Sequence, residues 1–255
     1  MKNIEYILEF ATGLGREMLL AGANLERVTD TMQRICYSYE LKDISLFAMS
    51  NTLILTASTQ EGEKVTRHVQ VPDCGTNLSK LTRYHALSKR VCKERPHPVG
   101  LSAMLREAGL VEDYPGWMVL LGYIVALCSI CRLFGGGFGE IAAVAISTVV
   151  MYGVINFLTE QRINRIIKDA ACMFVAGSLA IFYVKLGLSQ DYFTIVLTNA
   201  FMMIPGLQMV NAARNILCGN EANGVIELLK VVLETGALVI GIVVSMELFG
   251  GLITW

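Results

Sequence analysis

Five apolar stretches crowd the second half of this chain, at 117–134, 139–158, 170–188, 192–210 and 235–254. Each is close to the length of about 20 residues that a helix needs to cross the hydrocarbon core of a bilayer. A helix satisfies its own backbone N–H and C=O groups, so it is the form such stretches take in lipid. Charge divides the chain at the same point, since 14 of the 21 Lys and Arg and 14 of the 22 Asp and Glu precede residue 116. The expected fold is therefore an α+β soluble domain over 1–115, followed by an α-helical polytopic membrane domain with five transmembrane helices over 116–255.

Within the first 115 residues, Ile4, Ile7, Leu8, Ala11, Leu14 and Met18 recur at helical spacing, and Gly22 is placed to end that helix. Asn24 is a cap for a second helix whose stripe is Leu25, Val28, Met32, Ile35 and Cys36. Three short β-rich runs follow, at 44–49, 52–58 and 64–71, with a turn at 60–63 between the last two. Arg67 falls on the valine face of the third run, either snorkelling at a sheet edge or touching a solute or partner. Residues 77–95 read as a helix that Pro96-His97-Pro98 ends, and a short amphipathic helix spans 101–108. Tyr114 and Trp117 sit where interfacial aromatics belong at the entry to a membrane.

Arg162, Arg165 and Lys168 occupy one connection between spans, and Arg214 and Lys230 occupy another; the remaining connections offer Arg132 and Lys185. The positive-inside rule then puts the N-terminal domain in the cytoplasm and Trp255 outside. The last helix is expected to begin in the cytosol near Val225. The N-terminus lacks the charged and apolar regions of a cleaved signal peptide.

The fourth stretch is the most informative. Pro205 cannot donate to the Phe201 carbonyl and Gly206 permits an unwound turn, which leaves a kink or a true break. Unwound backbone at membrane depth survives only against protein or a water-filled cavity, and broken helices bind small polar solutes in many transporters. Asn199, Gln208 and Asn211 flank the break, and buried amides in lipid need partners. A glycine-rich connection, residues 132–140, carries Arg132 and Glu140, which either pair with each other or engage solute. Its glycines lack the strand context and spacing of a phosphate loop and suit a close backbone approach. Glu140, Glu234 and Glu247 are the carboxylates that could couple an ion to transport; Glu234 could instead pair with Lys230, and Glu247 could lie at the outer interface.

Signatures of catalysis are missing. There is no metalloprotease, esterase or Walker motif, and His68, His85 and His97 have no metal-ligand spacing. The seven cysteines are scattered and read as free thiols; Cys128 and Cys131 match a redox pair in spacing but lie within an apolar span. A net charge of −1 without a basic run argues against nucleic acid. No enzyme, catalytic residue, cofactor or metal is expected.

Three motifs, 18–28 (MLLAGANLERV), 133–136 (LFGG) and above all 204–215 (IPGLQMVNAARN), resemble the threonine/serine exporter family. Their order, with a soluble domain ahead of the spans, extends the resemblance over the whole chain. It implies an exporter of the bacterial cytoplasmic membrane, driven by an ion gradient, with Pro205 and Gly206 on the family's Pro-Gly motif. Members of full length carry about ten spans, so the chain resembles the larger subunit of the split form, associated with succinate. That form implies a smaller multi-span membrane subunit as partner, or homo-oligomerisation in its absence. Asn215 departs from the family, in which an Asp often follows the Arg. The solute would be a threonine- or serine-like amino acid or a dicarboxylate. A reading of another class is a membrane-anchored sensor or scaffold whose N-terminal domain binds a ligand or protein.

Overall fold

A computed structural model describes residues 2–49, 52–71, 75, 77–110, 114–189 and 191–252. Trp255, and Cys74 among the seven cysteines, lie outside the described residues. The chain divides into two compact units, one of Met1–Asp113 with Arg214–Gly224, the other of Tyr114–Ala213 with Val225–Trp255.

In the first unit, helices α1 (Lys2–Leu20) and α2 (Leu25–Ser38) precede strands β1 (Lys42–Met49), β2 (Thr52–Ser58) and β3 (Lys64–Gln70). Helices α3 (Leu78–Glu94) and α4 (Leu101–Gly109) follow. The turn after α1 closes because Gly22 adopts a φ of 88°, in the left-handed region that costs glycine least. The Asn24 side chain then accepts the Glu26 N–H at 2.8 Å and starts α2, and Asn77 accepts from Lys80 N–H at 3.0 Å to start α3. The strands form an antiparallel meander in the order β1-β2-β3. Alternation along β2 buries Leu53, Leu55 and Ala57 against Leu8, Leu14, Met18, Met32 and Ile35 from α1 and α2. On the other face the Thr56 and Thr66 hydroxyls meet at 2.9 Å. Arg67 pairs in register with Leu55 and is half-buried. Within the same unit, Arg214 Nη2 donates to Glu26 Oε2 at 3.1 Å, and Asn223 Nδ2 donates to the Ala48 carbonyl at 3.1 Å.

The second unit contains α5 (Gly116–Leu133), α6 (Phe138–Glu160), α7 (Arg165–Lys185) and α8 (Tyr192–Ala200). It also takes α9 (Gly206–Leu217) up to Ala213 and α10 (Glu221–Phe249) from Val225. Among the described residues, four helices are long and apolar enough to cross a membrane: α5, α6, α7 and α10. The stretch expected to be the fourth of five transmembrane helices, with a kink or a break at Pro205, is two shorter helices, α8 and α9, so the count of five spanning helices is not confirmed. The cause is local: Pro205 has no N–H to continue the ladder, and residues 201–205 leave the helix. The last helix begins at Glu221, a turn ahead of Val225.

Helix α7 is the centre of this unit. Cys172, Met173, Ala176, Ala180 and Ile181 are buried along it, packed with Val144 and Met151 of α6 and Ile195 of α8. It meets α10 at glycine: a Cβ on Gly241 would strike the Ala170 carbonyl oxygen and come within 2.9 Å of Phe174 N. Further along the same seam, a Cβ on Gly177 would strike Ser245. Small residues bringing backbones this close are how helices associate in lipid, where apolar burial gives little drive. The outer faces carry exposed Val125, Val239, Ile240 and Leu248, a surface that lipid solvates and water does not.

Candidate functional site

Helix α8 starts on Asp191, whose Oδ1 accepts the Thr194 N–H at 3.1 Å, and ends at Ala200. Three turn bonds close it: Phe201 N–H to Thr198 O at 3.2 Å, Met202 N–H to Asn199 O at 3.1 Å and Met203 N–H to Ala200 O at 2.9 Å. The Gly206 N–H turns back to Ile204 O at 2.8 Å, and α9 is then under way with Met209 N–H to Pro205 O at 3.0 Å. Among the described residues, no backbone N–H reaches the carbonyls of Phe201, Met202 or Met203. Beside this break Asn199 is fully buried, and neither its Oδ1 nor its Nδ2 has a hydrogen-bond partner among the described residues. Ser147 Oγ on α6 is likewise buried and unpartnered. A buried polar group without a partner costs about 1 to 3 kcal/mol, so each such atom calls for an explanation. Pro205 is buried and Gly206 exposed, while Asn211 is half-buried one turn into α9.

The first turn of α9 also carries Gln208, which belongs to a second polar group. With its amide oriented to suit both neighbours, Gln208 Oε1 accepts from Arg165 Nη1 at 2.7 Å and Nε2 donates to Glu234 Oε2 at 2.8 Å. Arg165 Nε lies 3.4 Å from Glu234 Oε1 and 3.9 Å from Asp169 Oδ2. The two carboxylates are buried, with side chains 2% and 9% exposed for Asp169 and Glu234, while the Arg165 side chain is 39% exposed. Helices α7, α9 and α10 thus contribute one arginine, two acids and one amide to a single cluster.

Of the residues singled out from sequence, Gln208 and Glu234 are brought together here, and Glu234 meets Arg165. Asn199, Pro205 and Gly206 share the break. Arg132 and Glu140 each hold backbone of the glycine-rich connection: Arg132 Nη1 donates to Gly136 O at 3.2 Å, and Glu140 accepts from Gly137 N–H at 2.9 Å. Glu140 also accepts from Ser189 Oγ at 2.9 Å, tying the start of α6 to the connection ahead of α8. The close approach expected of these glycines is present at Gly139, whose Cβ would strike the Leu188 carbonyl oxygen. Glu247 is exposed on α10. Sequence reading missed Asp169, the only acid within α7, and took Arg165 for a loop cation. Their spacing of four residues was the available signal, because it stacks them on one helical face.

Among the described residues, six cysteines are free, Cys128 and Cys131 among them, and no cluster of His, Cys, Asp and Glu able to hold a metal occurs. Two cavities of about 500 and 400 Å³ lie in the first unit, the second lined by Leu25, Phe47 and Asn223 among others.

Comparison with known proteins adds a family. The family described as "Putative threonine/serine exporter" matches residues 9–249. A protein of Klebsiella aerogenes named "Probable succinate transporter subunit YjjP" is 24% identical over 249 residues, covering 91% of this chain and 90% of that one. Its Escherichia coli K12 namesake is 21% identical over 240 residues, covering 92% of each. No solved structure matches the chain.

Proposed function

The chain belongs to the threonine/serine exporter family and is a transport protein of the membrane rather than an enzyme; we propose that it is one subunit of a secondary exporter for a small polar metabolite. The solute is a dicarboxylate such as succinate, or an amino acid like threonine or serine, moved outward across the bacterial cytoplasmic membrane. The observation that carries this reading is the interrupted α8–α9 pair with Asn199 buried and unpartnered beside it. A break that leaves both Asn199 amide atoms and three nearby backbone carbonyls without a partner among the described residues is ready for a polar solute to complete it.

Asn199 supplies one donor and one acceptor, and the N–H groups opening α9 suit a carboxylate, since a helix N-terminus carries partial positive charge. Both solute classes carry a carboxylate. The names of the two relatives favour the dicarboxylate, and their word "subunit" supports a partner, a smaller multi-span membrane protein that supplies the rest of the pathway. In this reading α8 and α9 together make a discontinuous fifth crossing, the N-terminal unit faces the cytoplasm and the C-terminus faces outward. Membership of a transporter family leaves the sensor or scaffold reading without support.

The test is efflux of labelled succinate, threonine and serine from vesicles holding this chain and its partner. Asn199→Leu, which fills the place with apolar atoms, is expected to abolish efflux of the favoured solute while the protein remains folded in the membrane. Unchanged efflux would remove the break from the solute path.

A further inference from the structure

The Arg165, Asp169, Gln208 and Glu234 cluster has an unbalanced composition. Two carboxylates face one guanidinium, and its Nε sits 3.4 Å from one and 3.9 Å from the other, in full contact with neither. A settled ion pair has N···O near 2.8 Å, so this arginine is shared. Asp169 is the more isolated acid: it is 1% exposed, and its Oδ2 accepts no hydrogen bond from any described residue. Glu234 by contrast has the Gln208 amide.

The other charges around Asp169 do not resolve the imbalance. Lys168, its neighbour on α7, directs Nζ to Thr159 Oγ1 near the end of α6 at 3.2 Å, and Glu160, which closes α6, is exposed. Lys230 on α10 is exposed a turn from Glu234, and the Cys172 thiol lies buried on the next turn of α7. With both acids ionised the cluster holds one net negative charge in a low-dielectric seam. Taking up one cation makes it neutral.

We propose that Asp169 is a proton-binding site, loading and releasing one proton in a cluster that Gln208 connects to the broken helix. A carboxylate accepts hydrogen bonds only, whereas a protonated carboxyl also donates. When Asp169 Oδ2 takes a proton, its claim on Arg165 lapses and the guanidinium moves fully onto Glu234. Gln208 Oε1 accepts from that same guanidinium, so the first turn of α9 moves with it. When the proton leaves, Arg165 returns to its shared position. The seam keeps the rest fixed, because α7 and α10 touch backbone to backbone at Gly241 and cannot absorb the change by sliding. The proton site depends on the export reading only for its purpose, which is to couple a proton gradient to the solute break.

Infrared difference spectroscopy of the full chain in lipid vesicles tests it without any transport. As pH is stepped, a protonated-carboxyl C=O band from a water-poor site should rise and fall. It should be lost in Asp169→Asn, kept in Asp169→Glu and kept in Glu234→Gln. Carbon-13 labelling of aspartate in the unsubstituted protein should shift the same band, so the assignment does not rest on a variant that folds. Absence of such a band, its survival in Asp169→Asn, or its loss in Glu234→Gln with no shift on aspartate labelling would each overturn the proposal. Efflux that fails while the band behaves as expected would count against the export reading alone.

Discussion

Replacing Gly241 by alanine adds one methyl where the α7–α10 seam brings backbone against backbone. That methyl would strike the Ala170 carbonyl oxygen and lie 2.9 Å from Phe174 N and 3.1 Å from the Ala170 carbonyl carbon. All three atoms are backbone, so no rotamer change relieves the contact. Comfortable contacts between such atoms are about 3.5 Å apart, so the helices must part by roughly 1 Å. Overpacking of this kind costs about 1 to 3 kcal/mol, and rigid neighbours put the cost at the upper end. At about 1.4 kcal/mol per factor of ten, 3 kcal/mol is a shift of about a hundredfold in the folding equilibrium. Gly236 on the same helix is the control: a Cβ there meets nothing within 4 Å. Gly236→Ala should be neutral or stabilising by up to about 1 kcal/mol through helix propensity. Detergent-denaturation curves of the two variants and the parent, read by far-ultraviolet dichroism, measure the difference. Equal stability of Gly241→Ala and Gly236→Ala would refute the close-packed seam.

Three further outcomes follow from the first unit. Arg214 and Glu26 are 52% and 46% exposed, so Arg214→Ala should cost less than about 1 kcal/mol in denaturation, and salt should shrink that cost further. Burial pushes the Cys36 thiol up to about 12 while Cys218 is exposed, so a maleimide at pH 8 should label Cys218 and leave Cys36 intact, as peptide mapping would show. Burial, followed by repulsion from Lys89, Arg27 and Arg34, holds the His85 imidazole below its ordinary value of 6.5. The unfolded chain then binds the proton more readily, so stability is full above 6.5 and declines as pH falls below it. The decline should be gentler in His85→Gln, followed by thermal unfolding across pH.

Much of the first unit was legible because its signals are local. Asn24 caps the helix its position predicted, and the stripe of Leu25, Val28, Met32, Ile35 and Cys36 is the face of α2 that is buried. The proline at 205 announced an interruption, although hydropathy over 192–210 still read as one span, since apolar composition does not register a missing N–H. What composition could not reveal is the company each polar residue keeps. Glu234 looked like a partner for Lys230 because four residues is the only distance a sequence measures directly; Arg165, 69 positions away, meets it across the fold. Asp169 passed for the end of a basic connection, when its side chain is 2% exposed inside a helix bundle.

In the proposed function this chain provides one part of an export pathway and a separate membrane subunit the remainder. Vesicles loaded with labelled succinate and carrying this chain alone, a smaller multi-span protein proposed as its partner alone, or both together provide the test. Rapid efflux is expected from the third preparation, lost on Asn199→Leu, and none from the first two. Efflux of equal rate from this chain alone, or none from the pair with succinate, threonine or serine, would contradict it.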